Sequence, residues 1–453
     1  LIACVILLIC ALAARILKKA MWTVFLVCMA LGFVRVALAA PTSVPTGTGV
    51  VQGRICETPE IMLDGRYRIN LSDATLDGEP FSGRLKLLAN FDEIPAYGQV
   101  VSATADVNGS EEKYVLNDRY RGIVAVAFAS GNAEVVWQTP QDLYGRLLTL
   151  RETIGDQIAL LFPNAPGEAK GMILGDVSDI DDEMLTAFRD TGIAHLLSVS
   201  GLHVSMLAVA FSLLFRRNAW VRFAAVAMFC ALYAAITAFS PPVVRSGIML
   251  LVGLLAFPLR RRLDAISALA ASFVLILLYN PYALWNAGFQ LSYVAVLSMV
   301  LLAPVFQKPL ARLGSSASGL IGASIAVVIG TLPTSCYFFG QAQLLSIVTN
   351  LFVIPISGVF LIPGVIGLLL SFVSLPLGNA VCWPARASLD VILGVARFGG
   401  KLTLTLPAPN VIAYLLWIAA MVFASRLFLR PAKTRALMAA LLAELSILCW
   451  VLL

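Results

Sequence analysis

The chain has only two histidines, His195 and His203, and both fall in one stretch, 171–215 (GMILGDVSDIDDEMLTAFRDTGIAHLLSVSGLHVSMLAVAFSLLF). Asp176, Ser198, Ser200 and Gly201 stand with them. A serine beside a histidine suggests nucleophilic chemistry. Here the pair sits at i, i+3 in Ser200-Gly201-Leu202-His203, and no G-x-S-x-G elbow surrounds the serine. Asp176 and Asp182 can bind a divalent ion, but carboxylates beside a helix start more often cap it or stay solvated. The eight cysteines, at 4, 10, 28, 56, 230, 336, 382 and 449, include no pair at metal-ligand spacing. A His/Cys zinc site is therefore not expected, nor is any cofactor. What the stretch offers is small polar groups set into an apolar segment, costly in hydrocarbon unless they face protein or water. Arg245, Asn286, Gln290, Ser292, Asn350 and the helix-breaking Pro355 carry the same character into later segments. Asn286, Gln290, Ser292 and Tyr293 are read as recurring at spacings of 3 to 4 on one helix face. Such residues can line a wet path for a polyanion or act as hydrogen-bonding glue between packed helices. Both readings stand open.

The elements that must position these residues follow from composition. A mean hydropathy of +0.88, 59% hydrophobic residues and 13% charged residues exclude a soluble protein. The fold class is a polytopic α-helical membrane protein with a small external all-β domain. Residues 1–40 read as a transmembrane hairpin, with Lys and Arg at 15–19 between two apolar runs. Met21 to Ala40 is taken as its second helix rather than a signal peptide.

Residues 41–142 change character. Six β-like runs (GVVQGRICE, RYRINLSDA, GRLKLLA, GQVVSATADV, IVAVAFA, AEVVWQ) alternate with turn signals such as Asp64-Gly65 and Asp77-Gly78. They predict a small barrel or sandwich. This region holds 8 Lys+Arg against 14 Asp+Glu, a net −6, and its named aromatics are few (Tyr67, Phe81, Phe91, Tyr97). With a total of +6, the rest of the chain carries +12.

Next, 143–168 predicts one amphipathic helix along the bilayer surface, part of an interfacial region 143–195 that includes a short helix at 183–189 and a break at Gly192. A polytopic domain fills 196–453, with spans at about 196–215, 218–239, 243–259, 264–280, 283–305, 318–340, 410–427 and 434–453. Loops rich in Lys and Arg (Arg216/Arg217/Arg222, Arg260–Arg262, Lys308/Arg312, Arg426–Arg435) are assigned to the cytoplasm, which puts the β domain and the C-terminus on the outer face. Parity then requires 343–375 to cross twice or not at all. Pro355, Gly358, Pro363, Gly364 and Gly367 suggest a re-entrant or broken hairpin with its tip near 353–364. Residues 380–403 complete the reading as an interfacial helix with Arg386, Arg397 and Lys401 on its polar side.

Several long motifs resemble the ComEC family of competence proteins, which carry transforming DNA across the bacterial inner membrane. They are Gly175-Asp176, F-x-x-TG-x-AH (Phe188 to His195), SGLH (Ser200 to His203), PPVVRSGIML (241–250), NPYALWNAGFQLSYVAV (280–296) and GTLPTSCYFFGQAQLLSIVTNLFVIP (330–355). The resemblance implies an OB-fold for 41–142 and a channel for single-stranded DNA in the inner membrane. It also implies a DNA receptor and a cytoplasmic motor as partners, since no GxxxxGK[ST] loop is present. Contacts with lipid and a homo-oligomer are further expectations. An OB-fold often binds single strands through a basic groove with stacking aromatics; the net acidity favours a structural module instead. Many members carry a C-terminal metallo-β-lactamase-like domain with clustered His and Asp. This chain reaches Leu453 without such a cluster, so it is expected to lack that domain or to end before it, and no enzyme is predicted. The competing functions are a transporter for a small anionic solute or lipid, and a scaffold whose β domain binds a protein.

Overall fold

The computed structural model describes residues 32, 34 and 46–452, except 63, 112–114, 139–141, 216, 238, 261–264, 401 and 426–430. Apart from positions 32 and 34, the expected hairpin at 1–40 lies outside the described residues. The chain divides into two units: residues up to Arg146 with Val274–Asn286, and Leu147–Phe273 with Ala287 onward.

In the first unit all six expected β runs form strands: β1 (Gly47–Ile55), β2 (Tyr67–Leu76), β3 (Arg84–Asn90), β4 (Gln99–Gly109), β5 (Ile123–Asn132) and β6 (Glu134–Gln138). Five of them close on themselves. β1 pairs β2, β2 pairs β3, β3 runs parallel to β5, β5 pairs β4, and β4 returns to β1. This is a Greek-key barrel of OB type. Closure removes sheet edges, and β6 adds to β4 outside the ring. The period-2 alternation points Val51, Ile55, Ile69, Leu71, Leu85, Leu87 and Val101 inward, each at 0–1% exposure. Each buried side chain of this size contributes roughly 1.5–3 kcal/mol. The predicted Asp77-Gly78 turn has positive φ at both residues (50° and 84°), which is why a DG pair stands there.

A short helix, α1 (Val115–Tyr120), lies between β4 and β5. Lys86 Nζ on β3 reaches Asp118 Oδ1 on α1 at 2.6 Å, with the two side chains 17% and 4% exposed. The other side of α1 meets the segment after α8 (Ala265–Tyr279): Asn280 Nδ2 donates to Tyr120 O at 2.8 Å, and the Arg119 guanidinium lies 5.9 Å from the Tyr282 ring centre. At the barrel's exit, Asp142 opens helix α2 (Leu143–Leu161). It accepts the Gly145 N–H (2.7 Å), an Arg54 guanidinium N–H (2.8 Å) and the Tyr97 hydroxyl (3.0 Å). The Gly145 amide, then Arg54 and Tyr97, hold the Asp142 carboxyl below the usual carboxylate range. Burial first, and the bond to Asp142 second, push the Tyr97 phenol up to about 12.

Because the folded Asp142 is the stronger acid, the stability it adds is present above the ordinary carboxylate pKa. That stability is lost as pH falls through the depressed folded value. Protection of the first turn of α2 against hydrogen exchange, relative to the intrinsic rate at each pH, should therefore fall as pH drops below about 4. Asp142→Asn, which keeps an acceptor for Gly145 but loses the ion pair, should flatten that response.

The second unit is helical: α3 (Pro166–Leu174), α4 (Asp182–Asp190), α5 (Gly201–Ser212), α6 (Ala219–Ile236), α7 (Pro241–Leu254), α9 (Ala287–Gln307), α10 (Ser315–Phe339), α11 (Ser346–Ser371), α12 (Leu375–Val381), α13 (Trp383–Phe398), α14 (Val411–Ala424) and α15 (Ala432–Leu452). Four of these, α6, α9, α10 and α11, are long and apolar enough to cross a membrane by length and composition. α5 with the 3₁₀ turn that follows it (together Gly201–Phe215), α7, α8 and α14 are shorter apolar helices. The expected surface helix at 183–189 is present as α4, with Met184 and Phe188 buried. The core gathers Ile158, Leu161, Phe162, Met172, Phe188 and Phe360, and the Phe162 and Phe360 rings meet at a tilt with centres 5.6 Å apart.

Three expectations are corrected. The helix predicted over 143–168 ends at Leu161. Pro163 has no N–H to continue it and restricts the residue before it, and Pro166 opens α3. Its apolar stripe (Ile154, Ile158, Leu161) is spent on the helical core.

Residues 343–375 do not turn back near 353–364: α11 runs unbroken for 26 residues through Pro355 and Pro363. A proline inside a helix costs about 3 kcal/mol, whereas a turn at membrane depth would leave several backbone groups unsatisfied at each end. Of the glycines taken as breakers, Gly367 is a notch for close packing, while Gly364 makes ordinary contact. A Cβ on Gly367 would stand 2.9 Å from Gly378 O, and one on Gly364 would stand 3.6 Å from Ala385 Cβ.

Arg386, expected on a polar face, instead turns onto carbonyl oxygens. It donates to Leu161 O (3.2 Å) at the end of α2 and to Asn379 O (2.7 Å), where a cation suits the negative end of a helix.

Candidate functional site

The site is built on residues 191–203. Gly192 has φ +75° and lies against the start of α11, where a Cβ would stand 2.7 Å from Ser346 Cβ and 3.0 Å from Gln343 Cβ. One residue earlier, Thr191 O accepts the Thr349 hydroxyl of α11 at 3.1 Å. The chain then makes a 3₁₀ turn (Ala194–Leu196) and enters α5 with Ser200 in extended conformation at its cap. Gly201 lies against α7: an added Cβ would stand 2.9 Å from Ser246 Oγ. The 191–203 segment thus bridges the start of α11 and the first turns of α7.

Ser200 and His203 form a capping box in which histidine takes the position usually held by Glu or Gln. Ser200 N–H donates to His203 Nδ1 at 3.3 Å. The serine side chain lies over the first turn but makes no well-formed hydrogen bond, and its Oγ is enclosed. His203 is 0% exposed, and its Nε2 is likewise enclosed without a partner.

That matters because most hydroxyls in this unit are already committed. Ser246, Ser298, Ser318, Thr331, Ser357, Ser371 and Ser388 each bond a carbonyl three or four residues earlier in their own helix. Among the uncharged side chains described in this unit, Ser200 Oγ, His203 Nε2, Ser240 Oγ, Gln343 Oε1 and Asn350 Oδ1 are enclosed with no hydrogen-bond partner. An enclosed polar atom left unpaired costs about 1–3 kcal/mol. All five sit at or near the starts of α5, α7 and α11, where helix dipoles are positive.

The sequence-predicted residues divide accordingly. Ser200, Gly201, His203 and Asn350 belong to this set. Arg245, 5% exposed, precedes the Ser246 that meets Gly201. Tyr293 of α9 donates to Ser272 Oγ at 3.1 Å. Asp176 follows the αL cap of α3 and closes a local turn on Ser178, 3.7 Å from Arg151. His195 and Ser198 are exposed, and the Ser198 hydroxyl donates to His195 O. Gln290 and Ser292 lie half-buried on α9, and Pro355 is exposed halfway along α11.

Asn286 is corrected. It precedes α9 instead of sharing its face, and its Nδ2 donates to Asn117 Oδ1 in the first unit at 3.4 Å. Ser240 and Gln343 were missed by sequence reasoning. The Ser-Pro-Pro start of α7 was the available signal for Ser240; none marked Gln343. Among the described residues no group of three or more His, Cys, Asp or Glu could hold a metal ion.

The barrel surface bears on the expected nucleic-acid groove. Arg54, Arg66, Arg68, Arg84, Lys86 and Arg121 each pair with a carboxylate of the same unit. Of the aromatics singled out in the sequence, Tyr67 packs edge-on against Phe91 at 5.8 Å, and Tyr97 is tied to Asp142. The exposed rings are others, Phe128 (43%) and Trp137 (63%).

A family model described as "Competence protein" matches residues 172–431, a span that contains α4 to α14 and excludes the barrel. ComE operon protein 3 of Bacillus subtilis (strain 168) is 32% identical over 245 residues, 53% of this chain and 31% of that protein. Competence protein ComA of Neisseria gonorrhoeae is 33% identical over 149 residues, 30% of this chain and 21% of the relative. An uncharacterized protein of Aquifex aeolicus (strain VF5) is 28% identical over 217 residues, 48% of each chain. The chain thus spans less than half the length of these relatives. No solved structure matches it.

Proposed function

Because this chain belongs to the competence-protein family, we propose that it serves the membrane step of DNA uptake and that its helical unit is the passage for a single strand. A bare phosphate cannot enter ~30 Å of hydrocarbon, because an unpaired charge is too costly there. A passage has to supply donors without holding the strand so tightly that it cannot leave. The observation that supports this reading is the set of enclosed, uncommitted polar atoms at the starts of α5, α7 and α11. Helix glue alone accounts poorly for them, since glue consumes its hydrogen bonds. Arg245 is the cation of the passage.

The barrel is a brace in this reading, not the surface that catches DNA, because six of its basic side chains are already neutralised by carboxylates. The membrane is the bacterial cytoplasmic one, with Arg217, Arg222, Lys308 and Arg312 toward the cytoplasm and the barrel outside. A DNA receptor and a motor supply capture and force.

Deleting the gene in the source organism should remove transformants while DNA still accumulates at the cell surface. Arg245→Gln, expressed at the normal level, should lower transformation by at least about tenfold, the cost of losing one charge-assisted contact. Unchanged transformation in the deletion strain would sink the whole reading. Unchanged transformation in the Arg245→Gln strain removes Arg245 from the passage.

A further inference from the structure

We propose that the first turn of α5 is a binding niche for a phosphodiester oxygen, built from neutral donors: His203 Nε2–H, the Ser200 hydroxyl and the leading backbone N–H groups. This rests on the passage proposed above and names the part of the strand that the site takes. The Nδ1 of His203 accepts the Ser200 N–H. A neutral ring with an accepting Nδ1 carries its proton on Nε2. Nε2 is one carbon away from Nδ1 in the ring, so it stays at the same end of the helix, enclosed and with no acceptor.

Capping explains Nδ1 and the placing of the Ser200 oxygen over the first turn, but not Nε2; a Glu or Gln at position 203 would cap as well. The surplus is a buried donor. Beside it the Ser200 hydroxyl is also uncommitted, and the first N–H groups of α5 have no partner within the helix. α7 cannot provide the same thing, since Pro241 and Pro242 remove two N–H groups from its start. A side chain at Gly201 would run into Ser246 Oγ, so α7 walls this turn closely. A nitrogen that bears its proton cannot ligate a cation; it takes an acceptor, and the positive end of the helix selects an anionic one. A helix N-terminus favours a phosphate oxygen, and donors without full charge let it move on. The phosphodiester can belong to a DNA strand or to a phospholipid headgroup; the same oxygens also occur in free phosphate.

The test uses the full chain in nanodiscs of phosphatidylcholine, with a fluorescent oligothymidylate as probe. Inorganic phosphate and phosphatidylglycerol serve as competitors, and a methylphosphonate oligothymidylate as the uncharged control. His203→Glu and His203→Gln both keep an acceptor for the Ser200 N–H, but only Gln keeps a donor. Wild type and His203→Gln should bind the charged oligomer at least about tenfold more tightly than His203→Glu. Ser200→Ala, which keeps the Ser200 N–H for His203 Nδ1 but removes the hydroxyl, should weaken binding by about threefold to tenfold. The methylphosphonate oligomer should bind weakly and indifferently to all variants. Competition by phosphatidylglycerol or phosphate that disappears in His203→Glu supports the niche and identifies the other source. Equal binding by His203→Glu and His203→Gln, with Ser200→Ala at wild-type strength, overturns it. If the deletion strain still transforms while the niche binds phosphate as described, the passage fails and the niche stands.

Discussion

Gly192→Val in the full chain is expected to abolish DNA uptake while the barrel stays folded. Two penalties meet at this residue. Its φ of +75° is a conformation that a β-branched side chain adopts only at a cost of roughly 1–2 kcal/mol. Its Cβ would also stand 2.7 Å from Ser346 Cβ and 3.3 Å from Ser346 Cα, on the first turn of α11, where only backbone movement relieves the overlap. Overpacking of that kind adds about 1–3 kcal/mol. The strain falls on the segment that carries Thr191 onto Thr349 and leads into the Ser200 cap, so the site is lost before the rest of the unit. Gly340→Val separates the two penalties. Gly340 also has positive φ (+68°), but nothing lies within 4 Å of its Cβ position, so only the backbone cost applies and uptake should persist. Transformation frequency, with hydrogen exchange over 191–203 and over the barrel strands, reads both outcomes. If Gly192→Val transforms like wild type, the packing of this segment on α11 is not what holds the site.

The barrel was legible because short alternating runs and Asp-Gly turns are local signals, and local signals suffice when strands are short. The membrane class was legible from composition. What could not be read was which polar or conformationally special residue is consumed by packing. Gly367 looks like a breaker in a linear string, yet in α11 it is the place where the Gly378–Cys382 segment comes too close for a side chain. Arg386 looks like a surface cation, but a helix end waits beside it in space. The stop at Leu161 was written in Pro163 and overruled by a strong 3.6-residue period. The site was half legible. Ser200 and His203 were singled out, but their i, i+3 spacing was weighed as catalysis and set aside, because a capping box with histidine in place of Glu is an unfamiliar form of a familiar device. Whether a hydroxyl is committed to its own helix depends on a rotamer, which no pattern of residue types records.

Lys86→Met is expected to be the most damaging single change in the barrel unit. The Asp118 carboxylate is 4% exposed on its side chain, and Lys86 Nζ lies 2.6 Å from it. Removing the ammonium leaves an enclosed charge, at about 3–5 kcal/mol, a large fraction of the 5–15 kcal/mol that typically holds a domain together. The pair also fastens α1 to β3, and α1 presents the Tyr120 carbonyl to Asn280. Loss should therefore show in hydrogen exchange on β3, on α1 and on 280–286, with β1 and β2 less affected. The double change Lys86→Met/Asp118→Leu should recover most of the stability, since a buried pair replaced by apolar side chains of similar size is often neutral. If the brace needs only a firmly seated α1, the double variant should also transform normally. A stable double variant that cannot transform would mean that the charges themselves, and not the seating of α1, serve uptake.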